Sequence, residues 1–146
     1  MNEYHSMDCI RHGADHGPSP YVVDMAEEAR KNQNFRTVAW TGCHLQMTFM
    51  NIPACGEIGL EMHPETDQLI RVEQGQAVVR MGNCRDTLDM QCTLRDDEAV
   101  LVPAGTWHNV RNTGHCPLKL SSLYAPPQHP RGTIHCTKED AANAKR

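Results

Sequence analysis

From Thr37 to Tyr124 the chain is a succession of short β-prone runs, each closed by a turn former after a few residues. The runs are Thr37–Thr41, His44–Ile52, Glu57–His63, Gln68–Glu73, Gln76–Met81, Thr87–Leu94, Ala99–Val102, Trp107–Asn112 and Pro117–Tyr124. The breaks fall at Pro53, Pro64, Gly75, Gly82-Asn83, Pro103-Ala104-Gly105 and Gly114. Strands this numerous, with hairpin-length gaps between them, predict an antiparallel barrel or sandwich. With 146 residues there is chain enough for one domain with a real core and no obligatory staple.

The flanks read differently. Residues 1–20 are polar, rich in His and Gly, and end in Gly17-Pro18-Ser19-Pro20, which predicts a flexible arm. Residues 21–36 are expected to hold a short edge strand at Tyr21-Val22-Val23, then a helix over Met25–Lys31. Asp24 is its N-cap and Glu27 the capping partner. The barrel is expected over 37–125. The extension 126–146 leaves it through Pro126-Pro127 and ends in a helix capped at Thr137.

Composition excludes several classes. Apolar residues make up 39% and charged residues 22%, so the chain is expected to be neither disordered nor membrane-spanning. A net charge of −4 argues against a nucleic-acid partner. The first residues lack the pattern of an export signal, which predicts a cytoplasmic location. The cysteines at 9, 43, 55, 84, 92, 116 and 136 are odd in number and form no C-x-x-C pair, so free thiols are expected throughout. Cys55 is the one placed nearest to a candidate site.

Alternate residues of a strand face one way. If Glu57–His63 is a strand, Glu57, Gly59, Glu61 and His63 share one face, and Ile58, Leu60 and Met62 the other. By itself this is equally an ordinary half-buried strand with a solvated polar side. Two further strands favour an inward polar face. Gln68 alternates with Ile70 and Val72, and His108 with Val110 and Asn112. His44 and Gln46 share a face of their own strand and are candidates for orienting a ligand, as is Asn112. Arg71, Arg111 and Trp107 alternate with these positions and are expected to point outward. His129 and His135 lie in the Pro-rich exit and read as surface or lid residues, and His5, His12 and His16 as solvated.

The segment Pro103-Ala104-Gly105-Thr106-Trp107-His108-Asn109-Val110-Arg111-Asn112 follows the pattern Pro-x-Gly-x-x-His-x-x-x-Asn. Upstream, Gly56, Glu61, His63, Gln68 and Gly75 follow, with substitutions, a pattern of Gly, His-x-His, Glu and Gly. In both order and spacing the chain resembles the cupin superfamily, over roughly residues 40 to 125. The departures are Asp97 where the second motif usually opens with glycine, Glu61 at the first His position, Gln68 at the Glu position, and Gly56 one residue short.

The resemblance implies an all-β, double-stranded β-helix (a cupin or jelly-roll barrel) with one short N-terminal helix. It also implies one divalent transition metal, Zn, Mn, Fe, Ni or Co, held by Glu61, His63, Gln68 and His108. Two imidazoles and one carboxylate suit such an ion, and Gln68 either ligates it or bonds a water on it. The partner expected is a small molecule. The leading function is a metal-dependent enzyme acting on a small hydroxylated substrate, such as a sugar derivative, by isomerase-type proton transfer, with Glu57 as the base. A non-enzymatic binding or sensing barrel and an Fe(II) dioxygenase-like cupin are the alternatives. An outward row of Ile58, Leu60 and Met62 would be an exposed apolar patch, from which a homodimer is expected.

Overall fold

The structure, a computed structural model, describes residues 15–144. The strands are β1 (Arg36–Thr41), β2 (Gln46–Ile52), β3 (Asp67–Gln74), β4 (Ala77–Gly82), β5 (Met90–Leu94), β6 (Ala99–Val102), β7 (Trp107–Asn112), β8 (Leu118–Ala125) and β9 (Ile134–His135). Helix α1 (Met25–Lys31) precedes them and α2 (Lys138–Ala144) follows. A six-stranded sheet in the order β6-β3-β8-β2-β1-β9 faces a three-stranded sheet in the order β5-β4-β7. All pairings are antiparallel.

Alternation along the strands builds the space between the sheets. Ile70 and Val72 of β3, Met50 and Ile52 of β2, and Leu118 and Leu120 of β8 meet Ala77, Val79 and Met81 of β4 and Val110 of β7. On β7 the buried positions are His108, Val110 and Asn112, in step with the period of two. β2 departs from alternation and is buried almost throughout, because its outer face is covered as well. There Met47 and Phe49 pack with Ala29 of α1, Ala39, and the flanking Tyr21, Val23 and Trp40.

Both helices start as their cap residues dictate. Asp24 accepts from the Glu27 backbone N–H at 3.1 Å, a cap of about 1 kcal/mol. At α2 the Asp140 N–H donates to Thr137 Oγ1 at 3.1 Å, and the Thr137 N–H returns a bond to Asp140 Oδ2 at 3.2 Å. Asp97 has φ +70, which is why this position of the second motif favours glycine. Aspartate is among the residues that tolerate the left-handed region.

Four expectations are corrected. Tyr21-Val22-Val23 is not a strand; its Tyr and Val pack under α1 instead. Glu57–His63 is not a regular strand but an irregular segment along β7, with isolated bridges Glu57↔Arg111 and Glu61↔His108. Ile58 turns into the core, so the outward apolar row behind the expected homodimer does not exist as a row. Among the described residues the exposed large apolar ones are Val22, Leu45, Leu60, Met90 and Leu101. Finally, Cys136 is disulfide-bonded, while Cys43, Cys55, Cys84, Cys92 and Cys116 are free thiols. Pairing depends on distance in space, which spacing along the chain does not report.

Candidate metal centre

The bridges to β7 decide which of the candidate residues meet. Opposed residues of an antiparallel pair project to the same side. From Arg111 back to His108 is one residue fewer than from Glu57 to Glu61, so the irregular segment holds an extra residue, as a bulge does. Gly59, at φ +106, lies within it. Glu57 therefore shares the outer side with Arg111, and Glu61 shares the inner side with His108.

Glu61, His63 and His108 come together, each offering a ligand atom within 4.8 Å of the others. His63 and His108 are 7% and 3% exposed, with ring centroids 5.3 Å apart. His108 Nδ1 lies 2.9 Å from the Thr106 carbonyl, to which it donates. That fixes the tautomer and turns the Nε2 lone pair toward the pocket. Burial pushes the His108 pKa down, so the ring is held neutral, as a ligand must be. His63 Nε2 is buried with no hydrogen-bond partner among the described residues and lies 3.3 Å from Glu61 Oε2. Gln68 donates from Nε2 to Ser122 Oγ at 3.4 Å, while its Oε1 is buried without a partner among the described residues. Buried acceptors left in this state are costly unless something fills the position. A divalent cation fits: two imidazole nitrogens and a carboxylate converge, and the unpartnered amide oxygen of Gln68 lies on β3 of the facing sheet.

The other expected residues lie elsewhere. Glu57 Oε2 accepts from Asn109 Nδ2 at 2.9 Å and lines an outer cleft of about 740 Å³ with Cys55, Arg111 and Lys138. His44 is exposed in the turn between β1 and β2. Asn112 is consumed by backbone: its Nδ2 donates to the carbonyls of Ile52 and Cys116 at 3.0 and 2.9 Å. Its Oδ1 accepts from the Gly114 N–H, closing the turn. Gln46 is fully buried, and its amide clamps the exit segment rather than a ligand. Oε1 accepts from the N–H groups of Gln128 and His129, and Nε2 donates to the His129 carbonyl at 2.8 Å.

Four residues that border the site were not expected there. Arg36 is 2% exposed, with Nη2 3.6 Å from Glu61 Oε1 and Nη1 3.2 Å from His135 Nδ1. A strand beginning one residue earlier than Thr37 would have put Arg36 in alternation with buried Val38. Tyr124 is buried, and its ring meets His63 and His129 edge-on at 5.8 and 5.2 Å. Burial raises its phenol to about 12, against the pull of Arg36, so it keeps its proton. His129 and His135 arrive with the exit segment, and no local pattern announces them.

Burial, then the Arg36 charge, push the His129 pKa down to about 3. A base whose folded pKa is depressed is neutral in both states above the unfolded value near 6.5, so the fold bears no proton penalty there. As the pH falls below that value the unfolded chain takes up a proton that the folded one does not. Stability is therefore lost from about 6.5 downward to about 3. In metal-free protein, the urea midpoint is expected to fall between about pH 7 and about pH 5. His129→Gln is expected to flatten that fall, and an unchanged slope would contradict the assignment.

The strand pattern and this inward set belong to one class. The family model described as a cupin domain matches residues 48–125, and the chain is a member of that family. Among its relatives is YrkC of Bacillus subtilis, 53% identical over 131 residues, spanning 90% of this chain and 70% of YrkC. A protein of Acanthamoeba polyphaga mimivirus is 38% identical over 115 residues, spanning 78% of this chain and 70% of its own. A crystal structure from Bacillus halodurans superposes with a TM-score of 0.88 at 55% identity, covering 89% of this chain and 98% of that one.

Proposed function

We propose that this chain is a metal-dependent enzyme that acts on a small hydroxylated substrate, such as a sugar derivative, by isomerase-type proton transfer. The observation that supports it is the convergence of Glu61, His63 and His108 ligand atoms within 4.8 Å, with both imidazoles buried. One divalent ion, Zn, Mn, Fe, Ni or Co, would be held by these three with Gln68 Oε1 beside them. When bound it supplies Lewis-acid polarisation of substrate oxygens. A set of three strong ligands is the open kind that catalysis uses, whereas a closed structural site takes four.

The chain's own groups supply the rest. His63 and His108 would set where substrate oxygens bind by holding the ion, and the His108 ring is kept in register by the Thr106 carbonyl. Tyr124 keeps its proton, with its hydroxyl against the side chains of Arg36 and Thr48. Glu57 faces the outer cleft, so the proton-moving role passes to Glu61, the inward carboxylate. It has two oxygens, and the one not used as a ligand accepts the proton.

Metal-loaded protein is expected to exchange solvent deuterium into the carbon beside the carbonyl of an aldose or ketose, and Glu61→Gln to suppress the exchange. Absence of exchange across a panel of neutral and acidic sugars, with metal shown to be present, would favour a binding barrel. The two-histidine, one-carboxylate set also suits Fe(II). Oxygen uptake by iron-loaded protein, without deuterium exchange, would favour the dioxygenase-like reading.

A further inference from the structure

Two nitrogens near the trio have no use in the reading above. Arg36 Nε and His129 Nε2 are both buried without a hydrogen-bond partner among the described residues. Arg36 turns its other two nitrogens to Glu61 and His135, at 3.6 and 3.2 Å. His129 is set by three hydrogen bonds between the Gln46 amide and the 128–129 backbone, at 2.8 to 3.0 Å. Its ring then lies against Tyr124, whose other neighbour is His63. A fully buried glutamine spent on placing one imidazole is a positioning device, and a surface histidine needs none.

The charge count points the same way. Arg36 offsets Glu61, and imidazoles that serve as ligands are neutral. A divalent ion on the trio would then leave two uncompensated positive charges in a buried place. Such an excess is costly unless an anion meets it. A neutral sugar cannot do so.

We propose that the site takes a hydroxylated carboxylate, whose carboxylate group is received by Arg36 Nε and His129 Nε2 beside the Glu61–His63–His108 trio. This deepens the proposed function and rests on it for the metal. A carboxylate is the anion that fits. Its planar pair of oxygens meets the two donors one to one, whereas a phosphate brings three oxygens to the same pair.

The test is calorimetric titration of Zn-loaded protein with gluconate, glucitol and inorganic phosphate, with metal content measured on the same samples. Gluconate is expected to bind, and glucitol, which lacks only the carboxylate, to bind at least about tenfold more weakly. His129→Ala is expected to weaken gluconate by about tenfold with metal content unchanged. His129→Gln, which keeps a donor, is expected to recover most of the affinity, and urea unfolding of both variants checks that they are folded. Equal affinity for gluconate and glucitol, tighter binding of phosphate than of gluconate, or unchanged affinity in His129→Ala would each overturn the proposal. Gluconate binding that depends on His129 in protein retaining no metal would support it while removing the metal reading. Retained metal with no gluconate binding would do the reverse.

Discussion

His108→Ala is expected to lose the bound metal. His108 supplies one of only two imidazoles in the trio, and its ring is pre-set by the 2.9 Å bond from Nδ1 to the Thr106 carbonyl. Changing a group that merely orients a ligand typically costs about 10–100-fold in metal affinity, and removing the ligand itself costs more. Wild-type protein dialysed against buffer and measured by elemental analysis should retain metal, and His108→Ala should not. Thr106 offers only its backbone carbonyl, so Thr106→Ala should leave the metal in place. Because β7 is held by its pairing with β4, the variant is expected to keep its strand signal in circular dichroism, which separates lost metal from lost fold. Equal metal content in the wild type and His108→Ala would end the assignment of His108 as a ligand.

Arg36→Ala is expected to produce the largest loss of stability. The guanidinium lies 2% exposed against Glu61, and removing it leaves that carboxylate in a low-dielectric pocket without its cation. Breaking one side of a buried pair costs about 3–5 kcal/mol. For a chain near this length that is a fall in Tm on the order of 10 °C. The metal would compensate Glu61 in its place, so the loss should be larger in metal-free than in metal-loaded protein. Replacing both partners, Arg36→Met with Glu61→Gln, should recover much of the metal-free stability, because neither buried charge then remains. Urea midpoints of the single and double variants, with and without metal, measure this. A loss below about 1 kcal/mol in metal-free Arg36→Ala would mean that solvent or another group already serves Glu61.

Much of the fold could be read along the chain because its determinants are local. The β6 and β7 spans coincide with the expected runs, each bounded by Pro or Gly and alternating cleanly. The caps at Asp24 and Thr137 act within a single turn, and both form as expected. His63 and His108 could be paired in advance because each belongs to a spaced motif, and Glu61 because it stands two residues before His63. Alternation failed where its premise failed. One extra residue around Gly59 moved Glu57 to the outer side and Ile58 into the core. His44 was placed on β2 although the strand begins at Gln46.

What the sequence determined by itself is whatever a few consecutive residues control: where strands start and stop, which motif positions carry nitrogen and oxygen donors, and how the helices begin. Only the tertiary structure decided what surrounds those donors. Gln46 and His129 are far apart in the chain, yet the amide of the one fixes the backbone of the other. Arg36 meets Glu61 because β1 lies in the large sheet while the segment carrying Glu61 runs along β7 of the small one, and closing the sheets brings both inward. Local propensity acts over one turn or one strand, whereas burial, orphaned donors and charge balance are properties of a closed space. Residues distant in the chain line that space together only once the sheets have packed.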